Sequence, residues 1–316
     1  MSAGHMLYDI LSLGVPFSVA LLLAALGEMF NQRAGVFNLG CDGIMSMGAF
    51  LAFLPPYLLR SSAYGPWANL AGFAAAALVG AVLGLLFALV TVTFRAPQGI
   101  AGIGMQMLGW GVAGTIFRHF IGGVTGVEGV AAWPIPLLSR IPYLGAILFN
   151  HNPVVYLAFL AVPASWILLY KTPWGLHVRA VGTHPRAADT MGIGVIRVRY
   201  QALMLGGAMA GLGGAYLSLC QAKMFADDLV AGRGFIAVAL VYFGRWSPWG
   251  ILGGALLFSL AQALQLSIQV GGIKFPYEFA VMLPYVMVIV VLALARKSRM
   301  LGPTALGKPY NREMRV

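Results

Sequence analysis

Apolar residues fill this chain in long blocks, with polar residues confined to the gaps between them. Blocks of about 17–25 apolar residues match the length a helix needs to cross a bilayer's hydrocarbon core. They fall at about Ile10–Gly27, Asn38–Leu59, Trp67–Phe94, Gly99–Phe117 and Pro153–Tyr170, then Tyr200–Leu219, Leu229–Phe243, Trp249–Gln269 and Tyr277–Ala295. The second (GVFNLGCDG) and the seventh (LVAGRGFIA) are interrupted by Gly and polar residues. Non-helical backbone at membrane depth survives only where protein or a wet cavity satisfies it, so both are expected to be broken helices. The pattern predicts an all-α polytopic membrane protein with about nine transmembrane segments, eight to ten as bounds.

The blocks divide into two halves. Each has a spanning run, a broken run with an Ala-Gly pair (Ala34-Gly35, Ala231-Gly232) and two further spans. Five crossings separate equivalent runs, an odd number, so the halves are expected in inverted topology. Inverted repeats with broken helices place a pathway at their interface near mid-membrane. One transmembrane domain is expected over 1–316. Its first half is about 7–121, the connecting span and cytoplasmic loop about 153–199, the second half about 200–295 and the basic tail 296–316.

Composition agrees with this reading: 60% of residues are hydrophobic and 9% charged, where a soluble domain carries about a quarter charged. The 20 Lys and Arg against 9 Asp and Glu could signal nucleic acid if concentrated on a soluble face. They lie instead in the short gaps, the pattern that sets membrane orientation. With Lys171–Arg199 and the tail placed inside, fourteen of the twenty basic residues are cytoplasmic; the N-terminus is then outside and the C-terminus inside. Cys41 and Cys220 lie in or beside apolar blocks and imply neither a disulfide framework nor a metal cluster. The N-terminus shows no basic start or small-residue cleavage site, so no removable signal peptide is expected.

No phosphate-binding loop, metalloprotease helix motif or nucleophile elbow is present in the sequence, so no catalytic residue or metal ligand is assigned. The informative polar residues lie inside the spans. Asp42 is the acid expected deepest in the membrane, where insertion costs about 2.5–3.5 kcal/mol. Asn38, Asp42 and Ser46, at i, i+4 and i+8, would share one helix face and line a polar route. Asp42 could equally cap the N-terminus of its broken helix. Ser259, Gln262, Gln265 and Gln269 make a second polar stripe, read either as a wet pathway or as interhelical hydrogen bonding. Gln262 and Gln265 of that stripe, with Gln106 and Arg233, complete a candidate pathway set of seven. Small-residue spacings at Gly80/Gly84, Gly207/Gly211 and Gly250/Gly254 allow close helix packing, within one subunit or across a lipid-facing seam.

The polar stretch 171–199 contains one delimited element. Thr183 or His184 precedes Pro185, whose fixed φ suits a first helical position, and Gly192 stands where a left-handed residue ends a helix. A helix is expected over Pro185–Met191, carrying Arg186, Ala187, Ala188 and Asp189. Its small residues would give a thin face suited to another protein's groove; a plain connecting turn is the alternative. The tail is read as an orientation anchor near anionic lipid.

Three stretches carry a family resemblance: GEMFNQRAGVFNLGCDGIMSMGAF, AVGTHPRAADTMGI and GRGFIAVALVYFGRWSPWGILGGALLF. Together they resemble the signature regions of ABC importer permeases. The resemblance is to the nucleoside and simple-sugar branch of the group that includes ribose and branched-chain amino acid permeases, and it spans about Leu7 to Ala295. It implies a transmembrane subunit of an ATP-driven importer in a bacterial cytoplasmic (inner) membrane. Such a subunit pairs with a second, related permease and receives substrate from an extracytoplasmic binding protein. ATP and Mg would be bound by a partner ATPase, with no cofactor in this chain. Thr183 to Ile193 resembles the family's ATPase-contacting loop, usually Gly-x-Asn-Pro-x-Ala-Ala followed by Gly-Ile. His184 stands where Asn is usual, and Asp42 where this branch often has Glu. The competing reading is an ATP-independent secondary transporter or channel for a small polar solute, which would need coupling-ion ligands in its spans.

Overall fold

The structure is a computed structural model that describes residues 3–59, 65–123, 125–134, 139, 144–270, 276, 278–279, 282, 286–287, 289–290, 293 and 302–311. Eleven helices follow in order: α1 (Ala3–Arg33), α2 (Cys41–Leu58), α3 (Gly65–Ala88), α4 (Gln98–Phe120), α5 (Leu144–Phe149) and α6 (Pro153–Lys171), then α7 (Pro173–Thr183), α8 (Pro185–Thr190), α9 (Val195–Tyr216), α10 (Arg233–Phe243) and α11 (Pro248–Val270). Short π-helical turns, Leu89–Thr93 and Leu217–Gln221, extend α3 and α9. Among the described residues, β pairing is limited to an isolated bridge between Gly126 and Met224.

Among the described residues, seven helices are long and apolar enough to cross a membrane: Tyr8–Arg33, Cys41–Leu58, Trp67–Thr93, Gln98–Phe120, Pro153–Lys171, Val195–Gln221 and Pro248–Val270. The expected seventh span is shorter than its apolar run. Its helix, α10, has 11 residues, about 16 Å at 1.5 Å per residue, enough for half of the hydrocarbon core. The expected ninth span, Tyr277–Ala295, lies for the most part outside the described residues. The second span is also displaced. Its helix begins at Cys41, so the break precedes the helix and Asn38 is not part of it.

Helix starts follow local chemistry. Asn152 caps α6 by accepting from Val155 N, and Thr172 caps α7 by accepting from Gly175 N; each is followed by Pro at the first helical position. The core is organised around α9, which packs on α1, α2 and α3. Backbone meets backbone at these crossings. A Cβ at Gly207 would lie 2.1 Å from Gly80 O, and one at Gly214 would lie 1.9 Å from Met45 O. Gly80, Gly84, Gly207 and Gly211 therefore face one another inside the subunit and do not form a lipid-facing seam.

Two ends of the bundle can be distinguished. At one, Arg33 at the end of α1 donates to Trp246 O from Nε (3.0 Å) and Nη2 (2.8 Å), and to the Tyr170 hydroxyl near the end of α6 (3.3 Å). Helices α7 and α8 and residues 302–311 gather there: Ala305 N donates to Gly182 O at 3.0 Å. At the other end α4 terminates beside 223–228, where Arg118 and Asp227 form an exposed ion pair.

Candidate functional site

The break between α1 and α2 is held by side chains in place of a hydrogen-bond ladder. Gly35 takes a left-handed φ of +85°. Phe37 N then donates to Gln98 Oε1 of α4 at 2.8 Å, and Asn38 N to Glu28 Oε1 of α1 at 3.1 Å. Asn38 Oδ1 accepts from Gly40 N at 2.9 Å, the turn that delivers the chain into α2. Glu28 also accepts from Asn31 Nδ2 (2.8 Å) and Gln32 Nε2 (3.2 Å). A buried carboxyl with three donors thus organises the re-entry, and satisfied backbone is what a break at this depth requires. Sequence analysis ended the first span at Gly27 and passed over Glu28. The signal was the i, i+3, i+4 series Glu28, Asn31, Gln32 on one face of an otherwise apolar helix.

The second break leads into α10 through Ala231 (φ +47°) and Gly232 (φ +77°). Here the two broken elements meet. Asp42, fully buried in the first turn of α2, accepts from Gly234 N in the first turn of α10 at 2.8 Å, and from Trp110 Nε1 of α4 at 3.0 Å. A Cβ at Gly234 would lie 2.3 Å from the Cα and N of Asp42. The N-termini of α2 and α10 therefore abut. From there α2 runs beside α4 toward Phe117 and Phe225, while α10 runs the opposite way toward Trp246. Asp42 lies level with Gln106–Trp110, the middle turns of α4. Asp42 does act as a cap, but for α10, the equivalent helix of the other half.

Around this junction the structure gathers five of the seven candidate pathway residues. Asn38 makes the entry turn, Ser46 follows Asp42 one turn along α2, and Gln106 is buried where α4 crosses Gly43. Arg233 Nη1 donates to Leu229 O (2.9 Å) and Val230 O (3.2 Å), tying down the loop before α10. Gln262 and Gln265 are not brought here. They lie on α11, which packs chiefly on α1, α6 and α10. The i, i+4, i+8 face fails because Asn38 stands before the helix starts.

Trp110 was not anticipated. Its indole N–H is held by Asp42, yet the residue is 43% exposed, on a face of α4 shared with exposed Gly104, Met107 and Gly111. Toward the Arg118 end this face meets the loop before α10: a Cβ at Gly114 would lie 3.0 Å from Asp227 Oδ1. This uncovered face is largely apolar, with Ile103, Met107, Leu108 and Val112 exposed beside Trp110; the Arg118–Asp227 pair lies at one end and Asp42 is buried behind the indole.

At the opposite end, stretch 171–199 is more helical than expected, since α7 occupies most of its first half. Helix α8 follows, one residue shorter than the expected Pro185–Met191. Pro185 begins it after His184, whose side chain makes no capping bond. Gly192 closes it at φ +82°, with Ile193 N donating to Ala188 O at 3.0 Å. Ala188 is only 4% exposed. It packs inward, which corrects the thin-face expectation. Thr183, His184, Arg186, Ala187 and Gly192 are exposed, Pro185 and Asp189 half-buried, and Met191 is 81% exposed. The tail also departs from a simple lipid anchor: residues 302–311 are docked on the bundle.

Residues 10–292 match the family described as the branched-chain amino acid transport system / permease component. The chain is 37% identical to the guanosine ABC transporter permease protein NupQ of Bacillus subtilis, over 96% of this chain and 97% of that one. It is 35% identical to the putative glucose ABC transporter permease protein TsgC13 of Haloferax volcanii, over 96% and 98%. To the nucleoside ABC transporter permease protein NupC of Lactococcus lactis it is 34% identical, over 93% and 94%. No solved structure is a significant match.

Proposed function

The chain belongs to the branched-chain amino acid transport system permease component family, and on that premise we propose that it carries a nucleoside or simple sugar inward as one of two related permeases of an ATP-driven importer. It is a multi-pass membrane protein and the permease subunit of an ABC transporter. Its cargo is taken from what the similar permeases are named for, guanosine, nucleosides and glucose. A separate ATP-binding subunit would hold ATP and Mg, and an extracytoplasmic binding protein would deliver the cargo. The end bearing α7, α8 and 302–311 is cytoplasmic in this reading, and the N-terminus is outside.

The route runs along the α4 face from the Arg118–Asp227 pair to Trp110 and Asp42, with Asn38, Ser46, Gln106 and Arg233 around it. The uncovered α4 face receives the second permease, so that the two subunits enclose the route. Thr183, His184, Pro185, Arg186, Ala187, Asp189 and Gly192 make the contact with the ATP-binding subunit, with Ala188 as the inward anchor of α8. The observation that carries the reading is the head-to-head junction. It sets a buried carboxyl and two helix N-termini at mid-depth beside an uncovered face, the arrangement inverted-repeat transporters use for their substrates. The test is uptake of radiolabelled guanosine and glucose into proteoliposomes of the whole complex. Uptake should need the ATP-binding subunit and MgATP; uptake driven by an ion gradient without that subunit refutes the proposal.

A further inference from the structure

The segment 302–311 is fixed to the bundle by backbone hydrogen bonds and by packing of Ala305, Leu306 and Tyr310 on the core. Ala305 N donates to Gly182 O at 3.0 Å and Gly307 N to Gly35 O at 3.3 Å. The Arg199 guanidinium, 1% exposed, joins Ala34 O (3.2 Å, from Nε) to Lys308 O (3.3 Å, from Nη1). The Thr304 hydroxyl donates to Thr183 O, the last residue of α7. The segment thereby becomes a strap beside α8. Between strap and helix lies an open cavity of about 670 Å³.

Its lining is of one sign. Arg95 from the α3–α4 turn, Arg186 and His184 from the α8 region, and Lys308 from the strap all border it, and no Asp or Glu does among the described residues. Three sequence-distant segments thus converge their cations on one groove. Outside the lining, at the C-terminal end of α8, Met191 is an exposed apolar side chain. A cationic groove bordered by α8, whose far end carries an exposed apolar residue, matches a protein partner better than a lipid headgroup, which would leave Met191 uncovered.

We infer that this groove takes an acidic segment of the ATP-binding subunit, so that the C-terminal strap and Arg95 form part of the energy-coupling contact together with α8. The inference rests on the permease reading above and extends it to residues outside the α8 loop. The strap makes the contact composite: a partner carboxylate held between Arg186 and Lys308 touches α8 and, through the strap backbone, α1 and α9 at once. A pull on α8 then reaches the spans by two routes.

Because Lys308 docks through its carbonyl, Lys308→Glu lowers the groove's formal charge from +3 (Arg95, Arg186 and Lys308) to +1 and leaves the docking bonds in place. Arg95→Gln removes a second cation from a different segment. The experiment measures affinity of the permease pair, in nanodiscs of neutral lipid, for the ATP-binding subunit of the same transporter. Each variant is expected to bind at least tenfold more weakly than wild type at low salt. The gap should close near 0.5 M salt, where the Debye length falls to about 4 Å. Lys223→Glu, near the opposite end, should bind as wild type does. Binding of both groove variants within twofold of wild type overturns the inference alone. A loss seen only in anionic nanodiscs overturns it in favour of lipid headgroups. A wild-type pair that recruits no ATP-binding subunit overturns the permease reading and this inference together.

Discussion

Replacing Asp42 perturbs the meeting point of the two halves with a single side chain. Its carboxyl oxygens accept from Gly234 N at 2.8 Å and Trp110 Nε1 at 3.0 Å. Asp42→Ala strands both donors, Gly234 N in the core and Trp110 Nε1 on a residue that is 43% exposed. A buried donor without its acceptor costs about 1–3 kcal/mol, which applies in full to Gly234 N and only in part to Trp110. Loss of an acceptor at the N-terminus of α10 adds about 0.3–2 kcal/mol. Asp42→Asn is milder: its amide oxygen serves one donor while its NH2 faces the other, for about 1–3 kcal/mol. The expected order of stability is Asp, then Asn, then Ala, with uptake falling in the same order as α10 loses its anchor. The assay is reversible unfolding in mixed micelles by SDS titration, paired with guanosine uptake in proteoliposomes. An Ala variant within about 0.5 kcal/mol of wild type, or one more stable than Asn, would refute the reasoning, since surface changes alone stay within that margin.

Gly234→Ala places a Cβ 2.3 Å from the Asp42 backbone, so α10 must shift; the variant should reach the membrane at wild-type levels yet lose at least nine-tenths of uptake. Glu28→Leu removes the acceptor of Asn31, Gln32 and Asn38 N. It should destabilise by about 3 kcal/mol or more in SDS titration, and Glu28→Gln by less; equal effects would contradict the donor count. Met191→Glu changes an exposed residue and should leave stability within about 0.5 kcal/mol. Co-purification of the ATP-binding subunit should nevertheless drop, and full co-purification would remove Met191 from the contact. Arg199→Met frees the strap, so chymotrypsin should cut after Tyr310 at least tenfold faster than in wild type.

The parts of the fold that depend on hydrophobic length were legible in the sequence. Seven apolar blocks became helices because a span of that length satisfies its own backbone. Position within a broken span was not legible. Asn38 and Asp42 look like helical neighbours by spacing, but only Glu28 and Gln98, from other helices, decide that residues 36–38 are not helical. The short α10 was overread for a similar reason, since an apolar residue does not reveal whether its backbone is helical. Helix α8 was found from its Pro start and Gly stop. The same Pro signal stood unread at Thr172-Pro173, where α7 begins. Ala188 shows a further limit: small size marks a residue that can approach something closely, and here that something is its own chain. The strap was invisible because its polar anchors are mostly backbone groups, which carry no sequence signal, and Leu306 and Tyr310, which pack on the core, are isolated apolar residues without periodicity.

The glycine crossings around α9 bear on how this machine can move. Side chains packed on side chains can slide by exchanging rotamers, but backbone packed on backbone has no rotamers to exchange. At Gly207 against Gly80 and at Gly214 against Met45, sliding by even part of a turn would drive a Cβ of the neighbouring residues into main chain. Helices α1, α2, α3 and α9 therefore behave as one stiff frame, and motion is left to the parts hinged on it. Those are α10, pinned to the frame at Asp42, and the α7–α8 arm with its strap, pinned at Gly35 and Arg199. Under the coupling proposed above, a stroke delivered at the arm would have little elasticity to lose on the way to Asp42. In mechanical terms the subunit is a rigid lever with two pivots, and its gearing is set by the distance between Arg199 and Asp42.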